Sequence, residues 1–238
     1  MSGMLIGVGV GPGDPELLTL KGLRALKEAD EVFVPVGDTG DVGRAEAVVR
    51  AHLDPNRVRR LLFALSGDAE ARIHNWTNAA REVAEPLREG KTCAFATIGD
   101  PNFYSTFTYL SRAVKDISKV NVETVPGVTA MQDLASKSGT VLLMGDEKLA
   151  LLPFTAGKMA LQSALEGFET VVCYKGGARL GEVLEVAEKS GRLEDGIYGS
   201  RLGMQGEEIV WAKEMVGREG TYLSAVVFTR GGEYGGCA

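Results

Sequence analysis

The apolar positions alternate between two periods along the chain. Met4–Val10 reads as a strand, and from Gly7 onward Gly7, Gly9, Gly11 and Gly13 recur at every second position, through its end and just beyond. Alternate residues of a strand share one face, so this strand has a bare face open to close approach by a backbone or a ligand. Asp14–Pro15 is an N-cap followed by proline at the first helical position, and Leu17, Leu20, Leu23, Leu26 and Ala29 continue as a helical stripe. Val32–Val34 predicts a strand stopped at Pro35, Gly43–Leu53 a helix, and Leu61–Leu65 a third strand. Asp68–Arg88 is the strongest helix, with Ile73, Trp76, Ala80, Val83 and Leu87 on one face and Gly90 just past its end. Thr92–Ile98 is a buried-type strand, and a helix follows over Ser105–Val114.

Strand and helix thus alternate through the first half, the pattern of a parallel α/β sheet. The polar stretch Lys115–Lys119 is the candidate linker, giving domains over 1–116 and 120–238. Beyond it come strand Val120–Val125, a helix opened by Pro126-Gly127-Val128-Thr129, an apolar run at Val141–Met144, and a second at Leu149–Phe154. A helix near Lys158–Leu165, strand Thr170–Lys175 and helix Leu180–Ser190 precede three closing strands, Gly196–Tyr198, Glu208–Ala212 and Tyr222–Phe228. Many strands with few helices predict a second α/β domain with a mixed sheet. The fold class is therefore two α/β domains.

Composition narrows the function. With 45% hydrophobic and 24% charged residues among 238, the chain can bury a core and is not disordered. No stretch reaches the roughly 20 apolar residues of a membrane span. A net charge of −6 argues against a general nucleic-acid binder. Cys93, Cys173 and Cys237 are too sparse for a disulfide framework or a structural zinc site, and two histidines, His52 and His74, are too few for a metal site of their own. The N-terminus carries no basic, apolar leader, so the expected location is the cytoplasm.

Several glycine motifs invite chemistry. The dinucleotide fingerprint G-x-G-x-x-G fails in every register, because its third glycine falls on Pro12, Asp14 or Glu16. An NAD-dependent oxidoreductase is disfavoured on that ground. Gly90-Lys91-Thr92 resembles the end of a P-loop, but Glu85 stands where its first glycine belongs and a strand follows. Gly99-Asp100-Pro101 ends a buried strand, where α/β sheets bind ligands, and Asp100 could accept hydrogen bonds or a proton. Pro126-Gly127-Val128-Thr129-Ala130 is a second strand-to-helix turn offering main-chain amides and a hydroxyl. Each also reads as an ordinary capped helix. Arg57, Arg59 and Arg60, with Arg44, Arg50 and Arg72 nearby, form either a solvated face or a clamp for a polyanion.

Taken together, these segments resemble the tetrapyrrole (corrin/porphyrin) methylases. The resemblance rests on Gly9-Val10-Gly11-Pro12-Gly13-Asp14-Pro15-Glu16-Leu17-Leu18-Thr19-Leu20-Lys21-Gly22, on the Gly99-Asp100-Pro101 loop, and on Val125-Pro126-Gly127-Val128-Thr129-Ala130, in that order. Tyr104–Leu110 and Gly145–Pro153 look most like the branch that methylates C-20 of precorrin-2 or cobalt-factor II. The resemblance spans essentially the whole chain. It implies two αβα domains with an interdomain cleft, the first on the tetrapyrrole side and the second completing the cofactor site, in a homodimer. It implies S-adenosylmethionine (SAM) as donor, held largely by main chain, and S-adenosyl-L-homocysteine as product. By the match, SAM contacts fall on Pro12, Gly99, Asp100, Phe103, Thr129 and Ala130, with looser matches at Tyr174, Lys175, Trp211, Ala212 and Leu223. Where the family often has Met-Lys or Tyr-Met, this chain has Tyr174-Lys175-Gly176-Gly177. The implied substrate carries eight carboxylates, which would give the arginine cluster a purpose.

Asp100 is the first candidate to assist proton loss after methylation, and Tyr104 the second, as its hydrogen-bond partner. On that reading, removing the Asp100 carboxylate cuts turnover far more than SAM binding. His52 or His74 could meet cobalt in a metallated substrate, although a packed or surface role is the more ordinary one. Methylation of uroporphyrinogen III or precorrin-4, or a non-catalytic SAM-binding regulator, are the alternative functions.

Overall fold

The alternation of β1 (Met4–Gly9), β2 (Glu31–Val36) and β4 (Thr92–Thr97) sends side chains into two different cores. Val8, Val32, Val34, Ala94 and Ala96 meet α1 (Leu20–Glu28) and α2 (Arg44–Arg50) on one face. Leu5, Phe33, Cys93 and Phe95 meet α3 (Ala69–Arg88) and α4 (Phe107–Ile117) on the other. Strands buried on both faces read as near-continuous apolar runs, and these do. With β3 (Val58–Leu62) and β5 (Asn121–Val125) they form a parallel sheet of order β3-β2-β4-β1-β5. The computed structural model describes residues 3–37, 41–63 and 69–230, with the backbone alone described at 69–72. The Leu65 end of the third expected strand, the Asp68 start of α3, the Arg72 side chain and Cys237 lie outside what is described.

A second unit is built on a mixed sheet. Its strands are β6 (Leu149–Pro153), β7 (Thr170–Tyr174), β8 (Gly196–Ser200), β9 (Glu208–Trp211) and β10 (Ser224–Thr229), in the order β6-β7-β10-β8-β9. β6 and β7 run parallel, and β10 is antiparallel to both β7 and β8. One face packs on α6 (Lys158–Gly167) and α7 (Leu180–Lys189) through Leu161, Val183, Leu184 and Phe228. The other packs on α5 (Ala130–Ser138) through Leu134, Val172, Ile197 and Val227. Each unit is thus a helix–sheet–helix sandwich, as expected.

Three local readings change. The chain divides between Thr129 and Ala130, because β5 pairs with β1. The polar stretch 115–119 is therefore the end of α4 and the approach to β5, inside the first unit, rather than a linker. β2 continues through Pro35, which a proline tolerates here because β4 pairs with β2 only as far as Phe33. Asp14 and Pro15 start only a short 3₁₀ turn over Pro15–Leu17, and α1 begins afresh with Thr19 Oγ1 accepting from Gly22 N at 3.0 Å. Leu20 consequently lies outside the core, 81% exposed. The apolar run Val141–Met144 lies outside the helices and strands and leaves Val141, Leu143 and Met144 exposed.

The arginines of the sequence cluster serve the fold. Glu46 is fully buried and accepts from Gly43 N at 2.8 Å, with Arg50 at 2.5 Å and Arg60 at 3.2 Å from its carboxylate. Arg57 donates to the carbonyls of Lys27 and Ala29, at the end of α1. Arg59 lies 3.6 Å from Glu31 and over the Phe33 ring. These four are committed inside the first unit, and Arg44 is left exposed at the start of α2.

Candidate functional site

β1 leads to α1 on one face of the first sheet, while its neighbour β4 leads to α4 on the other. Adjacent strands whose connections leave in opposite directions open a crevice at their carboxyl ends, where α/β sheets hold ligands. The glycine-rich segment after β1 and the Gly99-Asp100-Pro101 loop after β4 meet there.

Main chain fills this corner. Gly99 N donates to Gly11 O at 2.8 Å, and Val10 N to Thr97 O at 2.9 Å. A Cβ on Gly9 would lie 2.5 Å from Gly99 O and 2.6 Å from Gly127 N, and one on Gly127 would lie 2.1 Å from Gly99 O. Three loops are therefore locked backbone to backbone, which only glycine permits. Gly99 itself has φ +70, and the direction its Cβ would take is open space. The bare face read from the sequence is thus partly spent on packing: the space beside Gly7 holds the Phe107 ring, whose nearest atom would be 2.5 Å from a Cβ there.

Asp100 ties two loops. Its Oδ1 accepts from Asn102 N at 2.8 Å and its Oδ2 from Gly127 N at 3.1 Å. Asn102 reaches across to Thr124 Oγ1 at 3.1 Å. The far end of the loop is held by a buried hydroxyl pair, Thr97 Oγ1 and Ser105 Oγ at 2.9 Å, with Ser105 Oγ also accepting from Phe107 N. Between these anchors Tyr104 adopts φ +50 and is 46% exposed, its ring 5.4 Å from that of Phe103. A non-glycine residue held in this region stores strain, which clusters at functional loops. Pro12 and Thr129 are buried in the same unit. Gly9 belongs to the bare face expected from the sequence, whereas Asn102, Thr97 and Ser105 are not foreseen as partners in this corner, because their contacts join separate segments. The spacing of serine and threonine carries no such signal.

In the second unit, Ala130, Tyr174 and Trp211 share the face covered by α5. Tyr174 Oη accepts from Met131 N at 2.8 Å and so satisfies a first-turn amide of α5. Tyr174→Phe is expected to lower stability by about 1 kcal/mol, read as a shifted urea midpoint at constant m-value. An unchanged midpoint would show that the hydroxyl holds nothing. Lys175 follows with φ +57. Ala212 is fully buried in the opposite core, so it can offer a ligand only its main chain. Leu223 O accepts from Arg201 N at 3.0 Å.

Other candidates are placed away from chemistry. Burial pushes the thiols of Cys93 and Cys173 up to about 12, which removes both as nucleophiles at neutral pH. His52 Nε2 lies 3.0 Å from Pro15 O, and His74 Nε2 is 2.9 Å from Asn78 Nδ2. Among the described residues, no three His, Cys, Asp or Glu side chains stand together as a metal site. No helix among them is long and apolar enough to cross a membrane.

Comparison with known proteins gives the family. The family model described as Tetrapyrrole (Corrin/Porphyrin) Methylases matches residues 4–215. A precorrin-2 C(20)-methyltransferase of Sinorhizobium sp is 36% identical over 234 residues, 94% of each chain. A cobalt-precorrin-2 C(20)-methyltransferase of Salmonella typhimurium is 28% identical over 209 residues, 87% of each chain. The X-ray structure of a cobalt precorrin-4 methyltransferase superimposes with a TM-score of 0.69 at 21% identity, covering 95% of this chain and 94% of that one.

Proposed function

The chain belongs to the tetrapyrrole (corrin/porphyrin) methylase family, and from that premise we propose that it is a SAM-dependent C-methyltransferase acting on C-20 of precorrin-2 or cobalt-factor II, in the building of the corrin ring. The observation that carries the reading is the glycine-locked corner of β1, β4 and β5, with open space on the side of Gly99. A crevice walled by main chain suits a donor held by its polar edges rather than by charged side chains. We assign donor contacts to Pro12, Gly99, Asp100, Phe103 and Thr129, and the family resemblance adds Ala130, Tyr174, Lys175, Trp211, Ala212 and Leu223. The same reading carries a homodimer and a cytoplasmic location.

When bound, SAM supplies a methyl already activated as a sulfonium. The protein's task is then alignment and exclusion of water rather than activation. Carbon–carbon bond formation uses an electron pair of the macrocycle at C-20, and the C–S pair returns to sulfur. The C-20 proton must afterwards leave. Asp100 and Tyr104 share one loop, and its anchors at Thr97–Ser105 and Asp100–Gly127 fix their positions. The Asp100 carboxylate already accepts two main-chain N–H groups, so we assign it to holding the loops and leave Tyr104 Oη as the side chain that meets substrate.

The test is anaerobic incubation of the protein with SAM and, in separate tubes, precorrin-2 and cobalt-factor II. A single added methyl at C-20, seen by mass and by NMR, is expected in at least one tube. No methylation in either, with SAM bound, would overturn the C-20 assignment. Uroporphyrinogen III and precorrin-4 would then be the next substrates, and no turnover on any of them would leave a SAM-binding regulator.

A further inference from the structure

β7 and β8 run in the same direction on either side of β10. The register sets Tyr174 opposite Ala225 and Ser200 opposite Ser224, so both strands end level with the start of β10. The residue after each strand is a cation in the left-handed region: Lys175 with φ +57 and Arg201 with φ +50. Among the described residues, Tyr104 alone of the other non-glycine residues shares that conformation. Two strand spacings put the two backbones about 10 Å apart.

Glycine or asparagine is the ordinary choice for such a position. A long cation there gains no internal ion pair at Arg201, which is exposed and salt-bridged to no acid among the described residues. The acids that flank it are already neutralised. Glu208, opposite Ser200 in the sheet, lies 2.6 Å from Arg218. Glu207 lies 2.6 Å from Lys137 and also accepts from Gly203 N. Arg201 N is fixed to Leu223 O at 3.0 Å, which sets where its side chain starts. Meanwhile the arginines of α2 and β3 that the sequence offered as a carboxylate clamp are bound to Glu46, Glu31 and main-chain carbonyls.

We propose that Lys175 and Arg201 form a carboxylate-recognition pair at this edge of the second sheet, one that takes acidic side arms of the tetrapyrrole. The proposal rests on the functional reading above and adds to it the residues that meet the substrate's charge. A carboxylate could also come from the amino-acid end of SAM. That end carries an ammonium beside its carboxylate, which two cations repel, whereas the acetate and propionate arms carry none.

The experiment compares wild type with Arg201→Met, Arg201→Gly and Arg201→Lys. S-Adenosyl-L-homocysteine affinity is measured by calorimetry, binding of uroporphyrin (a stable octacarboxylate) by fluorescence, and KM for the methylated macrocycle by turnover. In the Met and Gly variants, uroporphyrin affinity is expected to fall and KM to rise by about tenfold. S-Adenosyl-L-homocysteine affinity should stay within about twofold, and Lys should restore most of the loss. Arg201→Gly relieves the backbone strain, so a loss shared by Met and Gly is one of charge and not of folding. Unchanged uroporphyrin binding and KM in both variants would overturn the pair. So would a parallel fall in S-adenosyl-L-homocysteine affinity, which would move the cation to the donor's carboxylate. A wild type that methylates neither macrocycle strikes the functional reading instead, and the uroporphyrin arm still decides the pair without turnover.

Discussion

Gly127→Ala is expected to destabilise the first unit by about 3 kcal/mol or more, and to abolish SAM binding at any concentration where the variant is folded. The added Cβ would sit 2.1 Å from Gly99 O, 2.7 Å from Gly9 C and 2.8 Å from Gly9 Cα. All three are backbone atoms of other strand ends. No side chain can swing aside, so relief requires β1, β4 and β5 to part at their carboxyl ends, and that movement breaks the Asp100–Gly127 hydrogen bond as well. Against a total of about 5–15 kcal/mol for a domain, such a loss is a large fraction. Gly167→Ala is the matched control. It lies at the end of α6 with nothing near its Cβ position and no positive φ, so it should be neutral or slightly stabilising. Urea unfolding of both variants, with S-adenosyl-L-homocysteine calorimetry, measures the contrast. Equal midpoints for the two would mean that the corner is looser than its contacts imply.

That corner also marks the limit of what the sequence discloses. β1, β4, α3 and the three closing strands were readable because burial on one or two faces writes a period of 2 or 3.6 into neighbouring residues. Gly9, Gly99 and Gly127 meet only after β4 and β5 have taken places beside β1, and no local pattern records that order. The domain boundary failed for the same reason. Lys115–Lys119 looks like a linker in composition, but membership of a sheet is decided by pairing, and β5 pairs with β1. Pro35 misled in the opposite direction, since its cost depends on whether a neighbour needs its missing N–H, and the pairing of β4 with β2 has already ended at Phe33. The arginines show how charge alone misplaces a site: Arg60 and Arg50 answer a buried Glu46 that read as one acid among many. The positive φ values at Tyr104, Lys175 and Arg201 leave no trace in residue type, because none of the three is a residue that favours them.

Asp100→Ala should lower SAM affinity and turnover together, each by about tenfold or more. The sequence suggested the opposite split, with turnover lost and binding kept, on the view that the carboxylate is a base. The geometry argues against that view. Oδ1 is held by Asn102 N and Oδ2 by Gly127 N, so the group is an acceptor on both sides and is anchored to main chain at both. Removing it leaves the Gly127 amide without its acceptor, at a cost of about 1–3 kcal/mol, and frees the loop that carries Phe103 and Tyr104. Asp100→Asn separates the two roles. Its amide oxygen keeps one of the two main-chain bonds and its NH2 faces the other donor, so a holding role predicts a loss of binding intermediate between wild type and Ala. A base role predicts that Asn binds SAM as wild type does and turns over no better than Ala, since a carboxamide takes up no proton at neutral pH. S-Adenosyl-L-homocysteine calorimetry and single-turnover rates on the three proteins distinguish these outcomes. Intact affinity in Asn with collapsed turnover would return Asp100 to the chemistry. Parallel losses in both variants would place the requirement for acid at this position in the locking of β4 to β5.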